Sequence, residues 1–275
     1  MIRVVQVAMV LAIAVLVLLL GLPLLALLVR VPSGSVLARL GDPLIQDALR
    51  LSLLTSLLST AIVVLLGTPV AYLLATRGWF PGRNVLETII DLPMVLPPTV
   101  AGLALLLAFG RAGLAGHALS AFGITLPFTT AAVIVAQVFM SVPFFLTSAR
   151  SGFASVPRSL TDAAATLRAS ETYTFFRVVL PLSMPALIAG ASMACARALG
   201  EFGATITFAG NLPGVTQTMP LAVYVAFQTD LEASIALSVI LMLLSFLLLV
   251  GLRVTPAGLA GRRPTAPRLV STISR

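Results

Sequence analysis

Six long apolar stretches, separated by shorter and more polar segments, dominate the chain. They cover residues 4–29, 49–75, 88–109, 129–148, 182–209 and 234–252. A helix crosses ~30 Å of hydrocarbon with about twenty residues at 1.5 Å each, so each stretch is long enough for one span. The pattern therefore predicts an all-α integral membrane protein of about six transmembrane helices.

The first stretch follows Arg3, as the apolar region of a secretory signal peptide would. It is longer than such a region usually is, and no cleavage site of small residues closes it. We therefore expect an uncleaved first span with its outside loop at residues 1–47. A transmembrane domain is expected at residues 48–252, and a basic cytoplasmic tail at 253–275.

Arginine is distributed unevenly between the segments that join the spans. With the N-terminus inside, the cytoplasmic arginines are Arg3, Arg77, Arg83, Arg150, Arg158, Arg168, Arg177, Arg253, Arg262, Arg263, Arg268 and Arg275. The outside arginines are Arg30, Arg39, Arg50 and Arg111, and Arg197 falls within a span. Because basic residues accumulate in cytoplasmic loops, this bias predicts that both termini are cytoplasmic. It also explains the net charge of +8 without a nucleic-acid partner.

Composition excludes several kinds of site. Hydrophobic residues make up 59% of the chain and charged residues only 9%, which suits a chain whose solvent is the lipid bilayer. The single cysteine, Cys195, and the single histidine, His117, leave no disulfide framework and no Cys/His metal cluster. The chain has no lysine and so no P-loop lysine; if ATP drives this protein, another chain must bind it.

The longest polar segment between spans, residues 150–181, contains the pattern of a short helix. Pro157 suits the first turn of a helix, and residues 163–165 are alanines, which are strong helix formers. Leu160, Ala164 and Leu167 share one helical face. Such a helix either simply links two spans or lies close against another protein through its small residues.

This segment resembles a known family. Asp162, Ala163 and Ala164, followed by Leu167, Ala169, Phe176, Val179, Leu180, Pro181 and Pro185, resemble the EAA loop of bacterial ABC-importer permeases. In that family the loop is a coupling helix seated in a groove of the ATPase, which implies that Asp162, Ala163, Ala164, Leu167 and Arg168 contact an ATPase. The usual glutamate is Asp162 here, and the usual glycine is Arg168. Glycine adopts a positive φ freely, whereas arginine pays about 1 kcal/mol to do so.

Other blocks resemble the molybdate permeases within that family. They are residues 92–100, 196–211, 213–214 and 216–224, and with the loop they extend the resemblance over residues 48–252. Sulfate and tungstate permeases share them in weaker form. The resemblance implies the type I importer permease fold and the import of molybdate, with tungstate or sulfate as alternatives.

The same resemblance implies a set of partners in the bacterial cytoplasmic membrane. They are a second copy of this chain, two ATP-binding subunits and an extracytoplasmic oxyanion-binding protein. This chain is then not an enzyme and carries no cofactor, because ATP and Mg are bound by the ATPases.

Charged residues and prolines within the apolar stretches mark a second group of candidates. Arg197 and Glu201 are four residues apart and can neutralise each other where a lone charge would be costly. They either line or gate a translocation path, or pin their helix to a neighbour. Pro97 and Pro98 interrupt the third stretch and form either a hinge or a fixed kink. The candidate path or gate residues are Arg197, Glu201, Pro97, Pro98 and Thr99.

Two other functional classes fit the composition less well. A secondary transporter more often shows internal repeats and several acids in its spans, but no clear repeat is visible and Glu201 is the only deep acid. An intramembrane enzyme needs a cluster of catalytic or metal-binding side chains within the spans, and the one histidine lies in a loop.

Overall fold

A computed structural model describes residues 2–32 and 34–260 of the chain, and every regular element in those residues is a helix. The helices are α1 (Ile2–Val29), α2 (Ser35–Leu40), α3 (Pro43–Thr76), α4 (Arg83–Val95), α5 (Pro98–Phe109), α6 (Gly116–Ala121), α7 (Thr130–Ala154), α8 (Arg158–Thr166), α9 (Glu171–Thr174), α10 (Leu180–Leu199), α11 (Gly203–Phe208), α12 (Met219–Thr229) and α13 (Leu231–Ala260). A π-helical turn, Phe175–Val179, joins α9 to α10 without a break. The predicted all-α class is confirmed.

Five helical stretches within the described residues are long and apolar enough to cross a membrane. They are Val5–Val29, Pro43–Thr76, Thr130–Ala154, Glu171–Leu199 and Leu231–Leu252. Four of them contain most of the predicted first, second, fourth and sixth spans. The predicted cytoplasmic tail begins inside α13, which continues to Ala260, and its residues 261–275 lie outside the described part of the chain.

The predicted third span is two helices. α4 and α5 are 13 and 12 residues long, about 20 Å and about 18 Å, so neither crosses the hydrocarbon alone. Between them Leu96 and Pro97 are extended, with ψ of 133° and 134°. Pro97 and Pro98 have no N–H to donate into a helix, which is why the helix ends there.

The predicted fifth span, residues 182–209, has different ends. The helix begins eleven residues earlier, at Glu171, and it ends at Leu199. A short separate helix, α11, follows after Gly200–Phe202. The apolar composition continues through this break, so hydropathy alone did not reveal it.

The helix predicted in the polar segment is confirmed as α8. It starts directly after Pro157, which has the extended ψ of 127° expected before a helix. None of its residues is buried against the rest of the chain. The polar connection is shorter than the predicted 150–181, because α7 continues to Ala154 and α9 starts at Glu171.

The centre of the bundle is the contact of α3, α7 and α10. A Cβ on Gly190 of α10 would lie only 3.1 Å from the carbonyl oxygen of Phe145 on α7, so the two backbones are close. On the same interface Ser148 Oγ donates to the Ala186 carbonyl at 2.8 Å. Small residues thus let α7 and α10 interlock, as is usual where no hydrophobic force drives helices together in lipid.

A stripe of small polar residues lies on the buried face of α3. Its members are Ser52, Thr55, Ser56, Ser59 and Thr60, each at most 8% exposed. Ser59 Oγ lies 3.0 Å from Gln137 Oε1 on α7, and Ser52 Oγ accepts from the Met219 N–H at 2.7 Å. These contacts hold α3 to α7 and to the start of α12.

Candidate functional site

Glu201 lies in the break between α10 and α11, and its side chain is 1% exposed. Oε1 accepts a hydrogen bond from the Ala204 N–H at 2.8 Å, in the first turn of α11. Oε2 faces the guanidinium of Arg197, which is in the last turn of α10. The carboxylate therefore joins two helix ends: it supplies negative charge to an N-terminus and pairs with a half-buried cation.

Arg197 and Glu201 form the ion pair that their spacing predicts, but they do not share one continuous helix. α10 ends at Leu199, with the Gly200 N–H still donating to the Ala196 carbonyl at 3.1 Å, and Glu201 follows outside it. The pair thus spans a helix terminus. This explains the unfavourable order of arginine before glutamate, since Glu201 serves α11 rather than α10.

The break between α4 and α5 lies beside the break between α10 and α11. A Cβ placed on Gly203 would lie 2.6 Å from the Pro98 Cβ and 3.2 Å from the Thr99 backbone nitrogen. A larger residue would fit here only if Pro98 shifted. The structure therefore brings together Pro98, Thr99 and the segment that carries Glu201.

Exposure divides this site into two sides. Pro97, Pro98 and Thr99 are exposed on the surface of the chain, whereas Glu201 and Gly203 are buried behind them. Arg197 is intermediate, with 24% of its side chain exposed. An interrupted helix exposes backbone groups, which inside a membrane is tolerated only where it faces protein or water. The exposed side of the site is thus suited to face another protein or a water-filled path, and not lipid.

The five candidate ATPase-contact residues lie together on α8 and the turn after it, away from the two breaks. Asp162, Ala163, Leu167 and Arg168 are exposed, and Ala164 is half-buried. Leu167 is 82% exposed, so most of its side chain is available to another surface. Together these residues form a surface that projects from the bundle.

The turn that ends α8 places Arg168 at a positive φ of 56°. The Ala169 N–H donates to the Ala164 carbonyl at 3.0 Å, and the Arg168 N–H donates to the Ala165 carbonyl at 2.9 Å. These two bonds define a Schellman motif, whose positive-φ position glycine normally occupies. Arg168 therefore occupies, with a strained backbone, the positive-φ position of the turn that glycine normally takes.

Two features of the structure were not found from the sequence. One is the Ala204 N–H as partner of Glu201, which is a backbone group and has no side-chain signal. The other is Arg150, whose Nη1 lies 2.9 Å from Glu87 Oε1. Arg83, four residues before Glu87 on the same helix, pairs with it as well, whereas Arg150 comes from a distant part of the sequence. Within residues 2–32 and 34–260, no cluster of three metal-ligating side chains occurs.

Comparison with known proteins shows which families and proteins this chain is similar to. Residues 67–255 match the family described as binding-protein-dependent transport system inner membrane component. The molybdenum transport system permease protein ModB of Mycobacterium tuberculosis is 44% identical over 241 residues, 86% of this chain and 90% of that protein. The sulfate transport system permease protein CysW of Synechococcus elongatus is 38% identical over 201 residues, 72% of this chain and 70% of that protein.

A solved structure has the same fold at low sequence identity. It is a bacterial alginate ABC transporter in complex with an alginate pentasaccharide-bound periplasmic protein. The TM-score is 0.75 at 14% identity, over 93% of this chain and 94% of that one. The helix arrangement described above is thus one that also occurs in a bacterial ABC transporter.

Proposed function

Because the chain belongs to the family of binding-protein-dependent transport system inner membrane components, we propose that it is the permease subunit of an ATP-driven importer of molybdate. The family places it among multi-pass proteins of the inner membrane, and such permeases have no catalytic activity of their own. The observation that carries the proposal is the 44% identity to a molybdenum permease over 86% of the chain. That similarity covers α8 and both helix breaks.

Transport by this chain depends on subunits that bind ATP and deliver substrate. The partners proposed are two ATP-binding subunits, a second copy of this chain and an extracytoplasmic oxyanion-binding protein. Structural similarity to a permease in complex with a periplasmic protein supports partners of this kind. ATP and Mg are then bound by the ATPase subunits, since this chain has no lysine with which to build a P-loop.

The projecting helix α8 is the proposed contact with the ATPase. Its exposed Asp162, Ala163 and Leu167 are available to a groove, and the small alanine side chains allow close approach. The Schellman turn at Arg168 fixes the direction in which the chain leaves α8. ATP binding draws the ATPases together, and α8 transmits that movement to α7 and α10 on either side of it.

The adjacent helix breaks are the proposed gate. In a hinge movement a few residues between helices absorb the change in backbone angles, and Leu96–Pro97 and Gly200–Phe202 are such connections within two spans. Pro97, Pro98 and Thr99 form the exposed side of the gate. Arg197 and Glu201 brace it from behind, because their charges are satisfied by each other and by the Ala204 N–H.

Both termini are proposed to be cytoplasmic. In that orientation Arg77, Arg83, Arg150, Arg158 and Arg168 lie on the same side as the ATPases, in accord with the positive-inside rule. Arg39 and Arg111 then lie at the outer face, where the binding protein docks.

Sulfate is the second candidate substrate, favoured by the 38% identity to a sulfate permease over 72% of the chain. Molybdate and sulfate are both tetrahedral dianions, so this chain can discriminate little between them by charge. The binding protein is the proposed source of selectivity.

Uptake by purified components in liposomes tests the proposal. Permease, ATPase and binding protein together are expected to give ATP-dependent accumulation of labelled molybdate, with equal sulfate competing poorly. The permease alone is expected to accumulate neither anion. Equal or faster sulfate transport would move the assignment to sulfate, and uptake by the permease alone under a proton or sodium gradient would overturn the importer assignment.

A further inference from the structure

A second charged cluster lies where α3, α4 and α7 meet, at the opposite end of α4 from the proposed gate. Glu87 Oε1 lies 3.0 Å from Arg83 Nε and 2.9 Å from Arg150 Nη1. The Arg83 guanidinium also donates to three backbone carbonyls at and just beyond the end of α3, at 2.6 to 2.9 Å. Glu87 on α4 thus connects a cation fixed to the end of α3 with a cation carried by α7.

Through Arg150, this cluster is connected to α8 by a short stretch of chain. Arg150 lies four residues before the end of α7 at Ala154, and α8 begins at Arg158 after a connection of only three residues. A displacement of α8 therefore acts directly on the end of α7 that carries Arg150. On the other side, Glu87 is in the second turn of α4, whose far end is the break at Leu96.

α4 has few other attachments within this chain. Pro93 is its only buried residue, and its principal packing partner is α7. Between the two helices a cavity of about 130 Å³ is lined by Ile90, Asp91, Thr147 and Arg150, among others. Packing between α4 and α7 is thus incomplete: Ile90 contacts the core that includes Leu146 and Ala149, and the Glu87–Arg150 ion pair is a second attachment.

We propose that the Glu87–Arg150 ion pair makes α4 move with α7 when the ATPases displace α8, and so repositions the break at Leu96–Pro97. Glu87 and Arg150 are positioning residues in this scheme. The inference rests on the proposed function, since it needs ATPases acting on α8. The Arg150 side chain is 45% exposed and that of Glu87 26% exposed. At such exposure the ion pair adds little to the stability of the fold, so its effect on transport can be measured in variants that still assemble.

The test uses the reconstituted importer with four single variants of this chain. Arg150→Met and Glu87→Gln remove the ion pair, and Arg150→Lys keeps the positive charge. Asp91→Asn is the matched control. Asp91 lines the same cavity, but its carboxylate forms no ion pair with the described residues. For each variant, molybdate uptake, ATP hydrolysis and recovery of the intact complex are measured together.

Arg150→Met and Glu87→Gln are expected to lower the molybdate transported per ATP hydrolysed about tenfold, at normal recovery of the complex. Arg150→Lys is expected to restore most of this ratio, and Asp91→Asn to leave it within about twofold of wild type. A purely structural role would instead lower recovery and leave the ratio unchanged.

The inference alone is overturned if the wild-type importer works and the two ion-pair variants transport as much molybdate per ATP hydrolysed as it does. It is also overturned if Asp91→Asn lowers that ratio as much as Glu87→Gln. Lower recovery of the intact complex with an unchanged amount of molybdate transported per ATP also overturns the inference. A wild-type importer that shows no ATP-dependent uptake refutes the proposed function instead, and the inference with it.

Discussion

Glu201 accepts a 2.8 Å hydrogen bond from the Ala204 N–H while its other carboxylate oxygen faces Arg197. One buried side chain thus caps the first turn of α11 and neutralises the charge of Arg197 in the last turn of α10. The two functions can be separated experimentally, because an amide oxygen can accept the same hydrogen bond without carrying the charge.

Glu201→Gln is expected to lower the free energy of unfolding by about 1–3 kcal/mol, because it leaves Arg197 without its counter-charge but keeps the Ala204 contact. Adding Arg197→Gln should recover part of that loss. The measurement is thermal unfolding of the purified permease in detergent, analysed as a double-mutant cycle with Arg197→Gln alone. Strictly additive effects would show that the two side chains do not interact.

Gly203→Ala is expected to destabilise the contact between the two helix breaks, since the new Cβ would lie 2.6 Å from that of Pro98. Relieving such a clash costs about 1–3 kcal/mol, and we expect uptake to fall with it. Gly200→Ala is the matched control, because its Cβ would meet nothing closer than the Ala196 carbonyl oxygen at 3.5 Å. If both variants behave alike in unfolding and uptake assays, close contact at Gly203 has no special role.

Arg168→Gly is expected to stabilise the end of α8 by about 1 kcal/mol, since glycine adopts the φ of 56° without strain. Arg158→Gly should have the opposite sign, because Arg158 is in the first turn of the same helix, where glycine is unfavourable. Hydrogen exchange of the α8 amides reports both changes. Faster exchange in Arg168→Gly would contradict the strained-turn interpretation.

Ala163→Trp is expected to release the ATPase without unfolding the spans. Ala163 is exposed in the isolated chain, so an indole meets no neighbour there, whereas a packed groove cannot admit it. Ala164→Trp should act in the same direction. Ala165→Trp serves as control, being exposed but outside the proposed contact residues. Undiminished co-purification of the ATPase together with normal uptake would contradict the docking assignment.

The pairing of Asp230 with Arg39 is expected to weaken in acid. The Ala233 N–H, followed by the Arg39 guanidinium 2.9 Å away, holds the pKa of Asp230 below its ordinary value of 3.8. Because the folded pKa is the lower one, the stabilisation is present above pH 3.8 and is lost as the pH falls through the folded pKa. Asp230→Asn should remove this pH dependence from unfolding curves of the permease, whereas Asp47→Asn should retain it.

The sequence predicted those parts of the fold that depend on local chemistry. Pro97 and Pro98 cannot continue a helix, so the division of the third stretch follows from residue types alone. Pro157 and three alanines likewise predicted α8. The break at Gly200–Phe202 was missed, because its neighbours are apolar and one glycine in such a stretch is weak evidence of a helix end.

The composition of the candidate site could be predicted only in part. Arg197 and Glu201 were paired correctly from their spacing, since groups four residues apart remain close even across a helix end. The contact of Gly203 with Pro98 joins positions more than one hundred residues apart, and nothing in either segment specifies the other. The same is true of Glu87 and Arg150, whose pairing depends on how α4 lies against α7.

The interlocked contact of α7 and α10 determines what kind of motion the bundle can perform. At this contact the Phe145 backbone packs closely on Gly190, and Ser148 donates to the Ala186 carbonyl. If one helix slid along the other by a turn, larger side chains would have to occupy the space beside Gly190. We therefore expect α7 and α10 to move together as one rigid unit, with α8 and its flanking turns at one end. Under the proposed coupling, a displacement of α8 is expected to move α7 and α10 together and to change the backbone at the two helix breaks.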